Sequence, residues 1–182
     1  ATIVTSFLTP IVLSNMQLNQ KGANIPFAGE FNNCFVTIGG SGATLGMVIF
    51  IAFFAKSAQL GALGKASIVP AFFNINEPIL FGMPIVYNPY TAIPFFLAPM
   101  ASMTIAYFAI DLHMVKPMIA QPAWPTPLGL SGFIGTAGDW RAIVLAFVCA
   151  FVAFLIWFPF IKFYDGKLYQ DEQTKGAQEA AA

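Results

Sequence analysis

Glu77 is the only charged residue between Lys65 and Asp111; residues 66–76 and 78–110 carry none. A charge at membrane depth is costly, and by default it marks a functional site. Its surroundings read FFNINEPILFG, where Asn74 and Asn76 supply amides and Pro78 removes a backbone donor. Broken helices of this kind are where transporters place substrate. The carboxylate could accept hydrogen bonds from sugar hydroxyls, and burial would strengthen it as a general base. The alternative is a structural carboxylate that caps a hairpin through backbone amides.

Trp124 lies in QPAWPTPLG, where prolines hold the chain extended. Its ring could stack on the apolar face of a pyranose, or sit in an interfacial aromatic belt. Trp140 and Trp157 fit the belt or a lipid-facing position better. Gly39, Gly40 and Gly42 lack the Lys and following Ser/Thr of a phosphate loop, so nucleotide binding is unsupported. They could instead let a hairpin backbone approach a ligand closely. Glu30 either lines a first hairpin or faces water. His113 sits with Asp111 and Lys116 in a charged interfacial cluster, and no metal or cofactor site is expected from one histidine and two distant cysteines. Cys34 and Cys149 read as inert buried thiols.

The elements that must carry these residues are written in the composition. The 182-residue chain is 58% hydrophobic and 9% charged, with a mean hydropathy of +0.73. Soluble domains average about 25% charged residues, and burial on folding reaches only about 70% near 150 residues. An ordinary cytosolic enzyme, a disordered chain and a basic nucleic-acid-binding protein are all excluded. Lipid is the expected solvent.

Between Arg141 and Lys162 the run AIVLAFVCAFVAFLIWFPFI is uncharged. At 1.5 Å per residue it covers about 30 Å, the hydrocarbon thickness of a bilayer. Spans are expected over about 2–21, 43–60, 91–110 and 142–161. The second has Ser41 as its N-cap and Gly42 with Gly46 as a small-xxx-small pair. Residues 22–42 and 66–90 are too broken by Gly, Pro and Asn for spanning helices and too apolar for solvated loops, so each is expected to form a re-entrant hairpin. Four prolines in the second window argue against a regular helix there. The stretch 112–138 is a structured, non-spanning connection, and 165–182 is a polar tail. Lys162, Lys167 and Lys175 place that tail in the cytoplasm, and Lys56 and Lys65 do the same for 56–65. The chain opens on ATIVTSFLTPIVL without a cap or basic lead-in, and it reads as part of something longer.

Three blocks, FVTIGGSGATLG (35–46), NINEPILFGMP (74–84) and AWPTPLGLSGFIGTAGDWRA (123–142), resemble in sequence and order the membrane component, enzyme IIC, of the bacterial sugar phosphotransferase system, in its lactose/cellobiose/diacetylchitobiose family. The resemblance implies an all-α integral membrane protein, with transmembrane helices and two re-entrant hairpins. Residues 1–164 would be part of its C-terminal transport domain, the N-terminal half serving dimerisation. It implies the movement of a β-linked disaccharide across the bacterial inner (plasma) membrane. The sugar's 6-hydroxyl would be phosphorylated by a phosphocysteine of enzyme IIB, itself served by upstream phosphotransferase components.

Carried onto this chain, Glu77 matches the glutamate that binds the 6-hydroxyl, and Asn76 and Pro78 shape its turn. Trp124 falls in the block whose tryptophan packs on the sugar. Gly39 and Gly40 fall in the glycine block beside the substrate. The family's histidine lies earlier than residue 1 and His113 does not match it; neither cysteine matches the phosphorylated one, which belongs to enzyme IIB. This stretch alone is not expected to transport, and the whole protein is expected to be a multi-pass homodimer. The other function classes are an ion-coupled secondary sugar transporter and a structural membrane subunit.

Overall fold

Seven α-helices and one π-helical turn make up the computed structural model, which describes residues 2–85 and 87–180, and side chains from residue 7 to 178. Ala1, Val86 of the window 66–90 and the last two residues of the tail lie outside the described residues. The helices are α1 (Thr2–Gln20), α2 (Leu45–Phe54), α3 (Ala58–Phe72), α4 (Glu77–Gly82), α5 (Pro89–Asp111), α6 (Leu130–Gly135) and α7 (Trp140–Ala180); the π-helical turn is Asn32–Val36. There is no strand among the described residues.

Helices α5 and α7 are long and apolar enough to cross a bilayer. They run antiparallel: the tilted rings of Tyr90 and Phe163 meet at 4.9 Å near one end, Ser102 Oγ donates to the Cys149 carbonyl midway, and Arg141 Nη1 donates to the Met114 carbonyl at the other. Buried small residues permit the approach, with Ala98, Ser102 and Ala106 on α5 and Ala142, Ala146, Cys149 and Ala153 on α7. The 41 residues of α7 make about 60 Å of helix, twice the hydrocarbon thickness, so the helix projects well past the expected span 142–161.

The single helix expected over 43–60 is instead two. Helix α2 stops at Phe54, Ala55 turns extended (ψ 139°), and α3 starts at Ala58 behind Ser57, whose hydroxyl accepts from the Leu60 amide. The break is made from a distance. Asp165 of α7 accepts from the Lys56 and Ser57 amides at 3.0 Å. Glu172 accepts from the Ser57 hydroxyl at 2.6 Å and from the Ala58 and Gln59 amides at 3.0 and 3.2 Å. Two carboxylates thus satisfy the donors that a helix start leaves bare, at the positive end of its dipole.

The two arms of this hairpin pack closely because a Cβ on Gly64 of α3 would fall 2.4 Å from the Ala52 amide nitrogen. Alongside, α2 follows α7, with Gly46 against Phe154, Phe50 against Phe158, and Lys56 at Asp165.

The window 66–90 is also more helical than its prolines suggest. Pro78 sits in the first turn of α4 and Pro89 begins α5, where a missing amide proton is tolerated, while Pro70 lies inside the last turn of α3, which ends two residues later. Ser41 is not the cap of α2. Thr44 holds that position and donates its hydroxyl to the Gly39 carbonyl at 2.7 Å.

Candidate functional site

The loop 39–44 and the turn 73–77 lie at the free ends of the α2–α3 hairpin and are sewn together. Asn74, in the left-handed region at φ +61° that asparagine tolerates, accepts from the Gly39 amide at 2.8 Å and donates to the Asn33 carbonyl at 3.0 Å. Asn76 donates to the Ser41 carbonyl at 2.7 Å. A Cβ on Gly40 would fall 2.4 Å from Asn76 Cγ, and one on Gly39 2.4 Å from the Leu45 amide nitrogen. On the side a Cβ would occupy, both buried glycines are packed against protein. They set the position of Asn76, and Asn76 sets the start of α4.

Glu77 is the first residue of α4 and is exposed, with Asn76 as its N-cap. The carboxylate is not buried, and among the described residues it has no hydrogen-bond or ion-pair partner. The reading as a cap through backbone amides finds no contact. A carboxylate held on a rigid turn with free lone pairs can accept hydroxyl protons from an incoming ligand.

Trp124 is 51% exposed on a tight turn in which Thr126 donates to the Ala123 carbonyl. Its segment docks beside the Glu77 turn in two places. The Leu128 amide reaches the Phe72 carbonyl at the end of α3. Gln121 donates to Glu30 at 2.8 Å, and Glu30 also accepts from Asn33, whose carbonyl holds Asn74. Glu30 therefore does line the first irregular segment, half-buried on a cavity.

Trp157 is the residue that sequence reasoning misplaced. It is fully buried, not in a belt or on the lipid face, and its indole donates to the Gly42 carbonyl at 2.9 Å. Within a long apolar run, only the polar glycine loop elsewhere in the chain hints that an indole donor has work to do. Trp140 is 66% exposed. Cys34 and Cys149 are both buried and unpaired. His113 lies away from the turn, its Nδ1 3.5 Å from the Asn24 amide, which itself caps the α5 carbonyl of Ile110.

Residues 1–99 match the family described as Phosphotransferase system, EIIC. A cellobiose-specific EIIC component of Lactococcus lactis subsp. lactis (strain IL1403) is 43% identical over 79% of this chain and 29% of its own length. A lactose-specific EIICB component of Streptococcus mutans serotype c is 37% identical over 98% of this chain and 33% of its own. The crystal structure of the transporter ChbC, the IIC component of the N,N'-diacetylchitobiose-specific phosphotransferase system, superposes with a TM-score of 0.89 at 38% identity, covering 95% of this chain and 42% of that one. The chain thus spans less than half the length of these proteins.

Proposed function

This chain belongs to the phosphotransferase system EIIC family, and from that membership we propose that it forms most of the transport domain of a bacterial sugar permease. It is a membrane protein. The whole permease moves a β-linked disaccharide of the cellobiose, chitobiose or lactose type inward and presents its 6-hydroxyl to enzyme IIB. In the transfer the sulfur–phosphorus bond of the IIB phosphocysteine breaks and a bond from phosphorus to the sugar oxygen forms. The hydroxyl proton passes to Glu77. Trp124 stacks on the sugar, and Asn76, backed by Gly39 and Gly40, fixes the turn.

Depth supports this reading. The α2–α3 turn is bound by Asp165 and Glu172, which follow the last apolar residue of the span. Helix α2 rises about 15 Å from there and α3 about 22 Å, too little to cross a bilayer. As a re-entrant hairpin they carry the loop 39–44 and the turn 73–77 to about mid-membrane, and Gly46 meets Phe154 some 12 Å inside Lys162. Lys162, Lys167 and Lys175 support a cytoplasmic C-terminal end, on the side of enzyme IIB. The EIICB relative is named for both components in one chain. The resemblance also carries the homodimer, for the whole protein.

The observation that carries the proposal is the unpartnered Glu77 carboxylate on a turn locked by Asn74 and Asn76. The test is uptake of radiolabelled cellobiose by cells making the full-length protein, with and without enzyme IIB. Glu77→Gln should insert normally and form no sugar phosphate. Near-normal sugar phosphate in that variant refutes the role of Glu77; accumulation of free sugar by the wild type refutes the phosphotransferase reading and favours an ion-coupled transporter.

A further inference from the structure

The region around Glu30 contains a polar constellation that the transfer step does not use. Glu30 borders a cavity of about 290 Å³ between α1 and the π-helical turn, with Val12, Leu13 and Phe27 as apolar wall and Glu30, Asn33 and Gln121 as polar edge. Its size is at the lower end of ligand pockets, and an apolar wall with a few converging polar groups is their usual make-up.

Glu30 has no basic partner within ion-pair distance among the described residues, where the ion pair present is Arg141 with Asp139. One carboxylate oxygen accepts from Asn33 and the other from Gln121. Each oxygen has a second lone-pair direction to offer. Two neutral amides orient the carboxylate without neutralising it. The π-helical turn Asn32–Val36 follows at once, an irregularity that concentrates at functional sites because it re-aims the side chains around it.

Position says what the carboxylate is for. Through Gln121 it is three residues from Trp124, and through Asn33 and Asn74 it is hydrogen-bonded into the turn that carries Glu77. It thus bridges the two segments that the proposed function assigns to the sugar. We propose that Glu30, oriented by Asn33 and Gln121, is a second carbohydrate subsite that accepts hydroxyls from the sugar ring which is not phosphorylated. Glu77 takes the 6-hydroxyl of one ring, and Glu30 selects for the presence of the other. This rests on the sugar-permease reading. Hydroxyl hydrogen bonds to a carboxylate are about twice as strong as neutral ones, so a disaccharide gains much here and a monosaccharide held at Glu77 gains nothing.

The test is isothermal titration of the full-length protein in detergent with cellobiose and with glucose. In Glu30→Gln and Gln121→Ala the Kd for cellobiose should rise about ten- to hundredfold, the worth of a hydrogen bond to a charged acceptor. The Kd for glucose should stay within about twofold, which also shows that the variants are folded. If the wild type binds cellobiose and both variants bind it equally well, the subsite is overturned and the permease reading stands. If the variants lose both sugars alike, Glu30 is structural and the subsite is again overturned. If the wild type binds neither sugar, the permease reading fails and takes the subsite with it.

Discussion

Trp157 Nε1 lies 2.9 Å from the Gly42 carbonyl oxygen, joining the long helix α7 to the glycine loop that backs the Glu77 turn. A Cβ on Gly42 would fall 2.2 Å from the Phe95 ring, so α5 closes on the same loop from another side. The loop has no regular secondary structure. Besides its own turn hydrogen bonds, one indole, one aromatic ring and two asparagines from other segments hold it, and the proposed catalytic geometry depends on those contacts.

Trp157→Phe keeps the ring and removes the donor, which leaves the Gly42 carbonyl unpaired in a dry site. That loss is worth about 1–3 kcal/mol and should lower the melting temperature of the full-length protein in detergent, followed by size exclusion after heating. Trp140→Phe, at an exposed position, should change stability by less than about 0.5 kcal/mol. Equal melting of the two variants would mean that the indole bond carries no load.

Asn74 combines a left-handed backbone with two hydrogen bonds. Asn74→Gly relieves the backbone but loses both bonds; Asn74→Ala loses the bonds and adds about 1–2 kcal/mol of left-handed strain. The alanine variant should therefore melt lower than the glycine variant, and both lower than the wild type. An alanine variant as stable as the glycine one would show that the turn has relaxed to another conformation.

Gly40→Ala places a methyl 2.4 Å from Asn76 Cγ, while Gly61→Ala, at the fourth residue of α3, meets nothing within 4 Å. The first should displace Asn76 and cut sugar phosphorylation at least tenfold. The second should leave phosphorylation unchanged and stabilise by about 0.5–1 kcal/mol, because glycine weakens a helix interior. Phosphorylation assays beside melting curves separate the two effects.

What was legible in the sequence was whatever a local pattern decides. The helical class followed from the scarcity of charge, and the run 142–161 lies within α7. The isolation of Glu77 singled out the turn that the structure locks, and the glycines at 39–42 signalled a close approach, which the structure shows to Asn76 and Leu45. What was not legible depends on distant partners. Nothing in LGMVIFIAFFAKSAQL marks a break at Ala55, because Asp165 and Glu172 make it from more than a hundred residues away. Trp157 looks like an interfacial anchor until its acceptor is known. Pro70 suggested an irregular chain because its position in the last turn of a helix is set by where that helix begins.

The capping of α3 by Glu172 gives the hairpin an acid-sensitive clasp. The hydroxyl of Ser57 first, then the amides of Ala58 and Gln59, hold the Glu172 carboxyl below its ordinary value of 4.5. A carboxyl lowered on folding contributes stability that is complete above its unfolded value and is lost as the pH falls through the folded one. Glu172→Gln should therefore melt below the wild type at pH 7, and the gap should narrow once the pH drops below 4.5. Gln can still donate and accept hydrogen bonds, so the pH-dependent part of the gap reports the charge alone. Melting temperatures of both proteins from pH 7 down to the acid limit of the detergent-solubilised protein measure it. A gap that stays constant across that range would assign the loss to shape and not to ionisation.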